Sequence, residues 1–225
     1  MIIKEKENLQ PQILEEIEEI ISNLKQNAVK IQEHGKRADS IVLSMLQHPR
    51  GGSGERQPAD INAILEEAIN LTYHGMRAQD RSFNIKIIKS LDGSMDKVQV
   101  IPQEISRAFL NIVSNGCYEA YRKKLSKGSS FSPELSVTTQ KTGNQLEITI
   151  RDNGNGIPEQ VREKLFTPFF TTKPAGQGTG LGLSITWDII VHQHNGRISF
   201  ESEEGENSFT KFIIILPLNH SYNAS

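Results

Sequence analysis

The chain has a single cysteine, Cys117, so an internal disulfide cannot form and no cysteine-based metal cluster can assemble. It also lacks a surplus of either charge. Twenty-five Lys and Arg against 27 Asp and Glu leave a net charge of −2, and no bulk field argues for nucleic acid or an anionic membrane as partner. No long uninterrupted apolar run is present, and the opening Met1, Ile2, Ile3, Lys4, Glu5 does not read as a signal peptide. A soluble, cytoplasmic protein without membrane contact is expected. The two commoner phosphate-binding templates are missing as well: there is no Gly-x-x-x-x-Gly-Lys-Ser/Thr, and residues 178–183 do not complete Gly-x-Gly-x-x-Gly. What remains is ample for a core, since 36% of the 225 residues are hydrophobic, enough for one large or two modest domains.

The informative stretch runs from 152 to 183. Asp152 follows an alternation of Leu146, Ile148 and Ile150, which sets it at the end of a strand with its oxygens directed into a pocket. A carboxylate there accepts a hydrogen bond from adenine's exocyclic amine and repels the carbonyl oxygen that guanine carries instead. Gly154 and Gly156 let the backbone lie against a flat ring. A second cluster, Gly176, Gly178, Gly180 and Gly182, opens a helical pattern through Leu181, Leu183 and Ile185, whose first N–H groups suit phosphate oxygens. Either cluster alone reads as turns. Both together suggest a nucleotide site, and a third segment supports it. Residues 103–125 read as a helix with Ile105, Leu110, Ile112, Cys117 and Tyr121 at helical intervals. Asn111 and Asn115 stand inside it, four apart on one face that Tyr118 and Arg122 continue. Asparagine is a poor interior helix residue, so the pair implies a polar task, and amide oxygens suit a hydrated Mg²⁺. Cys117 reads as a small buried packing residue on the same helix.

In order and spacing, residues 111–115, 152–157, 166–170 and 178–183 resemble the N, G1, F and G2 boxes of sensor histidine kinases, members of the ATPase superfamily shared with DNA gyrase and MutL. The resemblance covers residues 60–218. It implies ATP and Mg²⁺ as cofactors, with Asn115 holding the metal, Asp152 reading adenine, and residues 158–180 forming a mobile lid. It further implies nucleotide contacts from Gly154, Gly156, Ile157, Phe169, Thr171, Thr172, Gly178, Thr179, Gly180, Leu181, Gly182 and Leu183, with Tyr118 and Arg122 beside them. Asn111 and Lys173 take the catalytic positions. Hydrolytic members carry glutamate where Asn111 stands. An amide cannot accept a proton from water, so phosphoryl transfer is favoured over hydrolysis. Two departures are plain: Gly116 replaces the usual alanine after Asn115, and Tyr118 replaces a frequent lysine, which leaves phosphate neutralisation to Lys173 and Arg122.

Residues 12–48 read as one long helix, about 55 Å from end to end. Ile17, Leu24, Ile31, Ala38 and Met45 recur every seven residues, widened by Ile20, Ile21, Ala28, Ile41 and Val42. Such a seam wants a partner helix, and a homodimer through it is expected. Residues 33–50 resemble the second helix of a kinase dimerisation domain. His34 and His48 read as partly buried seam residues, so the accepting histidine is expected on a first helix ahead of Met1 and the transfer in trans. Residues 51–59 are a linker by composition, 60–218 the ATP-binding domain and 219–225 a disordered tail.

Within the domain, Asp60 caps a helix, Phe83, Ile85 and Ile87 alternate as a strand, and residues 135–139 and 146–150 form a hairpin around Gly143. A helix over 181–194 and strands near 197–202 and 209–216 complete the set, with Trp187 in the core and His192 and His194 in the helix's last turn, where the dipole satisfies them. The expected fold is α+β: a two-layer sandwich of a mixed sheet against three helices, preceded by the long helix. Three functional classes follow. They are the catalytic part of a histidine kinase, serving histidine-bearing helices and a response regulator; a hydrolytic ATPase clamp; and a non-catalytic ATP-binding module.

Overall fold

A computed structural model describes residues 11–46, 54–174 and 178–218, without the side chains at 11, 12, 14, 33, 34 and 36–46. The readings of His34, His48, Gly176 and the tail therefore lie outside the described residues. Two compact units make up the described chain. One comprises helix α1 (Pro11–Leu46) with residues 171–174 and 178–179; the other comprises 54–170 and 180–218.

Helix α1 is continuous over 36 residues, and the apolar side chains Ile13, Ile17, Ile20, Ile21, Leu24, Val29 and Ile31 are exposed along it.

The second unit is a mixed five-stranded sheet under a helical layer. Its elements in chain order are β1 (Gln57–Ala59), α2 (Ile61–Gln79), β2 (Lys86–Ser90), β3 (Val98–Val100), α3 (Pro102–Lys127), β4 (Glu134–Thr142), β5 (Gln145–Asp152), α4 (Glu159–Arg162), α5 (Gly182–Trp187), β6 (Arg197–Glu203) and β7 (Phe209–Pro217). Strand order is β2-β4-β5-β7-β6; β2 runs parallel to β4 and the other pairs are antiparallel. A two-residue turn joins β4 to β5, with Gly143 at φ 59°, a left-handed conformation that glycine adopts without strain. The expected sandwich is the observed one.

Local signals account for the helices. Asp60 accepts a hydrogen bond from the Ala63 N–H at 3.1 Å and so caps α2, which buries Ile61, Leu65, Ala68 and Ile69. Pro102 opens α3, and Gly128 at φ 71° closes it. The buried stripe of α3, from Ile105 through Phe109, Ile112 and Cys117 to Ala120, packs on β4 and β5. From the sheet come Leu135, Val137, Leu146, Ile148, Ile150, Phe212, Ile214 and Leu216, every second residue along each strand.

Four details differ from the sequence reading. Strand β2 starts at Lys86 rather than Phe83, because the Asp80–Phe83 turn precedes it and pairing begins only where the Lys86 N–H meets the Pro133 carbonyl; Phe83 and Ile85 are core residues all the same. Residues 57–59, inside the segment read as linker, pair with 98–100. The helix from 181 is α only to Trp187 and widens to a π turn over Asp188–Gln193. Trp187 is 37% exposed, its ring resting on Phe166 at the edge of the core.

Candidate nucleotide site

Helix α3 touches both glycine segments. At its middle, Gly116 lies against the end of β5. A Cβ there would come within 2.7 Å of Leu135 and 3.4 Å of Asp152 Oδ2, so the missing methyl allows helix and strand to close up. One turn on, the backbone carbon of Glu119 is 2.8 Å from where a Cβ on Gly154 would be. One turn back, the Asn111 amide donates to the Gly182 carbonyl at 2.9 Å and to Thr186 Oγ1 at 3.2 Å, tying the start of α5 to α3. Asn115, half-buried, therefore stands on α3 between its contacts with the 152–156 loop and with α5. Asn111 spends its NH₂ on that tether, a use the sequence did not suggest.

Asp152 is 4% exposed. Its Oδ1 accepts the Gly154 N–H at 2.8 Å, but burial dominates and pushes the carboxyl up to about 7, with the nearby Glu119 charge adding to the rise. The loop after it is held from several sides. Asn153 Oδ1 accepts from the Glu134 N–H at 2.8 Å, and its Nδ2 donates to the Ser132 carbonyl at 2.9 Å. Gly156, at φ 77°, passes against the Glu203 carbonyl with no room for a Cβ. Ile157 N–H donates to Ser202 Oγ at 2.8 Å, and Arg162 bonds the carbonyls of Ile157 and Ser202. A loop wired in this way holds its shape before any ligand arrives.

The second glycine segment is less uniform. Gly180 has φ 71° and packs against the Phe169 backbone, and Phe169 is itself left-handed at φ 66° and 45% exposed. Leu181, Gly182 and Leu183 are half-buried. Thr171, Thr172, Lys173, Gly178 and Thr179 belong to the other unit; there the Lys173 N–H donates to Thr171 Oγ1 at 3.1 Å, and Gly178 approaches both residues. Arg122 pairs with Glu119 at 3.6 Å, and Glu119 also receives the Asn155 amide, so that pair lies beside the loop following Asp152. Tyr118 is half-buried on α3.

Two groups were not foreseen, and a third, His194, has a different role from the one the sequence suggests. Lys123 and Ser208 are buried behind the 152–156 loop. Lys123 lies three residues past Ala120 on the buried stripe, and following that stripe one turn further would have found it. His194 is 1% exposed. It is a neutral pin rather than a cation at a helix end: Nε2 accepts the Ile101 N–H at 3.0 Å, so Nδ1 carries the proton and donates to the Ile189 carbonyl at 2.7 Å. Among the described residues, no three His, Cys, Asp or Glu converge as a metal site. The same residues contain no helix long and apolar enough to cross a membrane.

Comparison with known proteins agrees with this geometry. Residues 101–220 match the family described as histidine kinase-, DNA gyrase B- and HSP90-like ATPase. The sensor histidine kinase ZraS of Escherichia coli K12 is 27% identical over 183 residues, 81% of this chain and 36% of ZraS. Sporulation kinase C of Bacillus subtilis is 33% identical over 183 residues, 81% of this chain and 39% of that protein. The chain thus spans a little over a third of such relatives. Among solved structures, the catalytic domain of histidine kinase ThkA superposes with a TM-score of 0.58 at 29% identity, covering 73% of this chain and 96% of that one. ThkA in complex with the response regulator protein TrrA shares the fold at 24% identity and a TM-score of 0.58, over 95% of this chain and 54% of that one. With the matched segment spanning α3, both glycine loops and the last two strands, the chain belongs to the histidine kinase-, DNA gyrase B- and HSP90-like ATPase family, and its homologues are sensor histidine kinases.

Proposed function

We propose that this chain binds Mg²⁺-ATP on α3 and delivers the γ-phosphoryl group to a histidine on a kinase dimerisation helix, from which it passes to a response-regulator aspartate. The observation that carries the reading is the buried carboxyl of Asp152, set at the end of β5 beside a glycine loop whose backbone is fixed before ligand binds. An under-compensated buried carboxylate is a costly thing to keep, and an adenine amine is a partner that would repay it. Gly154 and Gly156 supply a surface free of side chains for the base. Residues 180–183 take the phosphate side, and Asn115 offers an amide oxygen to Mg²⁺. The bound Mg²⁺ would neutralise charge on the phosphates. Lys173 and the threonines at 171, 172 and 179 act from the lid, and Phe169 is a nucleotide contact. Asn111 holds α5 in register and, being an amide, leaves an attacking water without a general base. The ZraS and sporulation kinase names, and the ThkA–TrrA complex, support kinase chemistry with a response regulator downstream. The exposed seam of α1 supports a homodimer, and the working compartment is cytoplasmic.

The test is γ-labelled ATP incubated with the chain, with and without a histidine-bearing helix pair from a kinase. Acid-labile label on the added helices is the expected result. Rapid release of free phosphate would move the chain to the hydrolytic class. Bound but unprocessed ATP would make it a non-catalytic module. Lys173→Met belongs in the same assay, where unchanged binding and turnover would remove that lysine from the site.

A further inference from the structure

One cation lies where the stripe of α3 calls for an apolar side chain. Lys123 is 4% exposed, and its ammonium, which has three protons, meets three acceptors: the Asn153 carbonyl at 3.1 Å, the Gly154 carbonyl at 3.2 Å and Ser208 Oγ at 2.8 Å. The same nitrogen is 4.8 Å from the centre of the Phe131 ring. The Ser208 hydroxyl donates in turn to the Gly154 carbonyl at 2.7 Å. Both side chains thus converge on two carbonyls of the loop that follows Asp152.

One peptide unit connects this cluster to the pocket. The amide joining Asn153 to Gly154 has its oxygen on Lys123 and its N–H on Asp152 Oδ1, at 3.1 and 2.8 Å. Rotating that plane would break both bonds at once, so the ammonium on one side fixes where the carboxylate points on the other. Burial disfavours the charged lysine, and it stays satisfied only because carbonyl dipoles and a ring face surround it. Packing alone would be served as well by methionine, which leaves no desolvation to offset.

We propose that Lys123 is a positioning residue for base recognition, setting the orientation of the Asp152 carboxylate through the 153–154 peptide plane, with Ser208 as its partner. The proposal rests on Asp152 reading the base. Lys123 touches no ligand itself, and its effect should fall on which nucleotide is chosen rather than on transfer once ATP is bound.

Calorimetric titration of Mg²⁺-ATP and Mg²⁺-GTP into the full chain, wild type and Lys123→Met in parallel, reads this directly, with thermal unfolding as the check on folding. The folded variant is expected to lose between about tenfold and a hundredfold in ATP affinity while GTP changes less, so the preference for ATP shrinks. An unchanged ATP-to-GTP ratio overturns the proposal, whether both affinities hold or both fall together as a merely structural role predicts. If Lys123→Met does not fold, Ser208→Ala decides, because it removes the shortest of the ammonium's three bonds and one of the two donors to the Gly154 carbonyl, loosening the hold on the peptide plane while the lysine itself stays in place. A loss of preference of about fivefold or less is then expected, and none at all overturns the idea. Wild-type protein that fails to prefer ATP sinks the assignment of Asp152, and this proposal with it; a preference that survives both substitutions sinks the lysine alone.

Discussion

Asp152 answers to two opposed demands. Burial raises its carboxyl to about 7 from 3.8, so the folded domain holds the acid form more readily than the unfolded chain does. Its contribution to stability is complete below about pH 3.8 and is lost as pH rises through about 7, at about 1.4 kcal/mol per pH unit in between. Asp152→Asn should therefore stabilise the ligand-free protein at pH 8 and flatten its melting temperature between pH 4 and 7, while ATP affinity falls. Differential scanning calorimetry across that range, paired with titration, checks both halves; a variant that melts lower at pH 8 would contradict the burial argument. Gly156 imposes a simpler constraint. With φ at 77° and the Glu203 carbonyl against it, alanine adds strain and a collision, and Gly156→Ala should lose at least about 2 kcal/mol in urea unfolding.

At the level of elements, the joint between α3 and the π turn after α5 depends on His194. Its imidazole must be neutral, because Nε2 accepts the Ile101 N–H, and burial lowers its pKa below 6.5. A depressed histidine contributes stability that is present above the unfolded value and lost as pH falls below it. The groups that act on it, Arg56 on the 54–60 segment and Glu104 on α3, pull in opposite directions. His194→Gln should cost about 1–3 kcal/mol at pH 7.5 and remove the part of the pH dependence just below 6.5, a slope opposite in sign to that of Asp152. The two are separable by comparing variants. This joint also marks where sequence reasoning stopped. Alternation through Leu146, Ile148 and Ile150, the Asp60 cap and the Gly143 turn are local and were legible; so was Asp152, because a carboxylate ending an apolar strand beside two glycines is an unusual pattern. His194, Lys123 and Ser208 were not, since their partners are 93, 30 and 85 residues away in the chain and no local periodicity records such a bond. The π widening likewise leaves no period to detect.

For the molecule as a whole, the seam of α1 carries a test of self-association. Leu24 is 63% exposed at its centre, one heptad from Ile17 and one from Ile31, which are exposed too. Sedimentation at micromolar concentration should give a dimer for the wild type and a monomer for Leu24→Glu, with ATP binding intact in both; equal sedimentation would take the seam out of self-association. Cys117 is 1% exposed, next to Gly116 under the carboxyl of Asp152, and burial pushes its pKa up to about 12. A maleimide dye therefore stays silent on the closed protein at pH 7. Each molecule it does capture has let its central helix peel from the sheet, so that slow labelling counts breathing events without an engineered reporter, and saturating nucleotide should lengthen the wait.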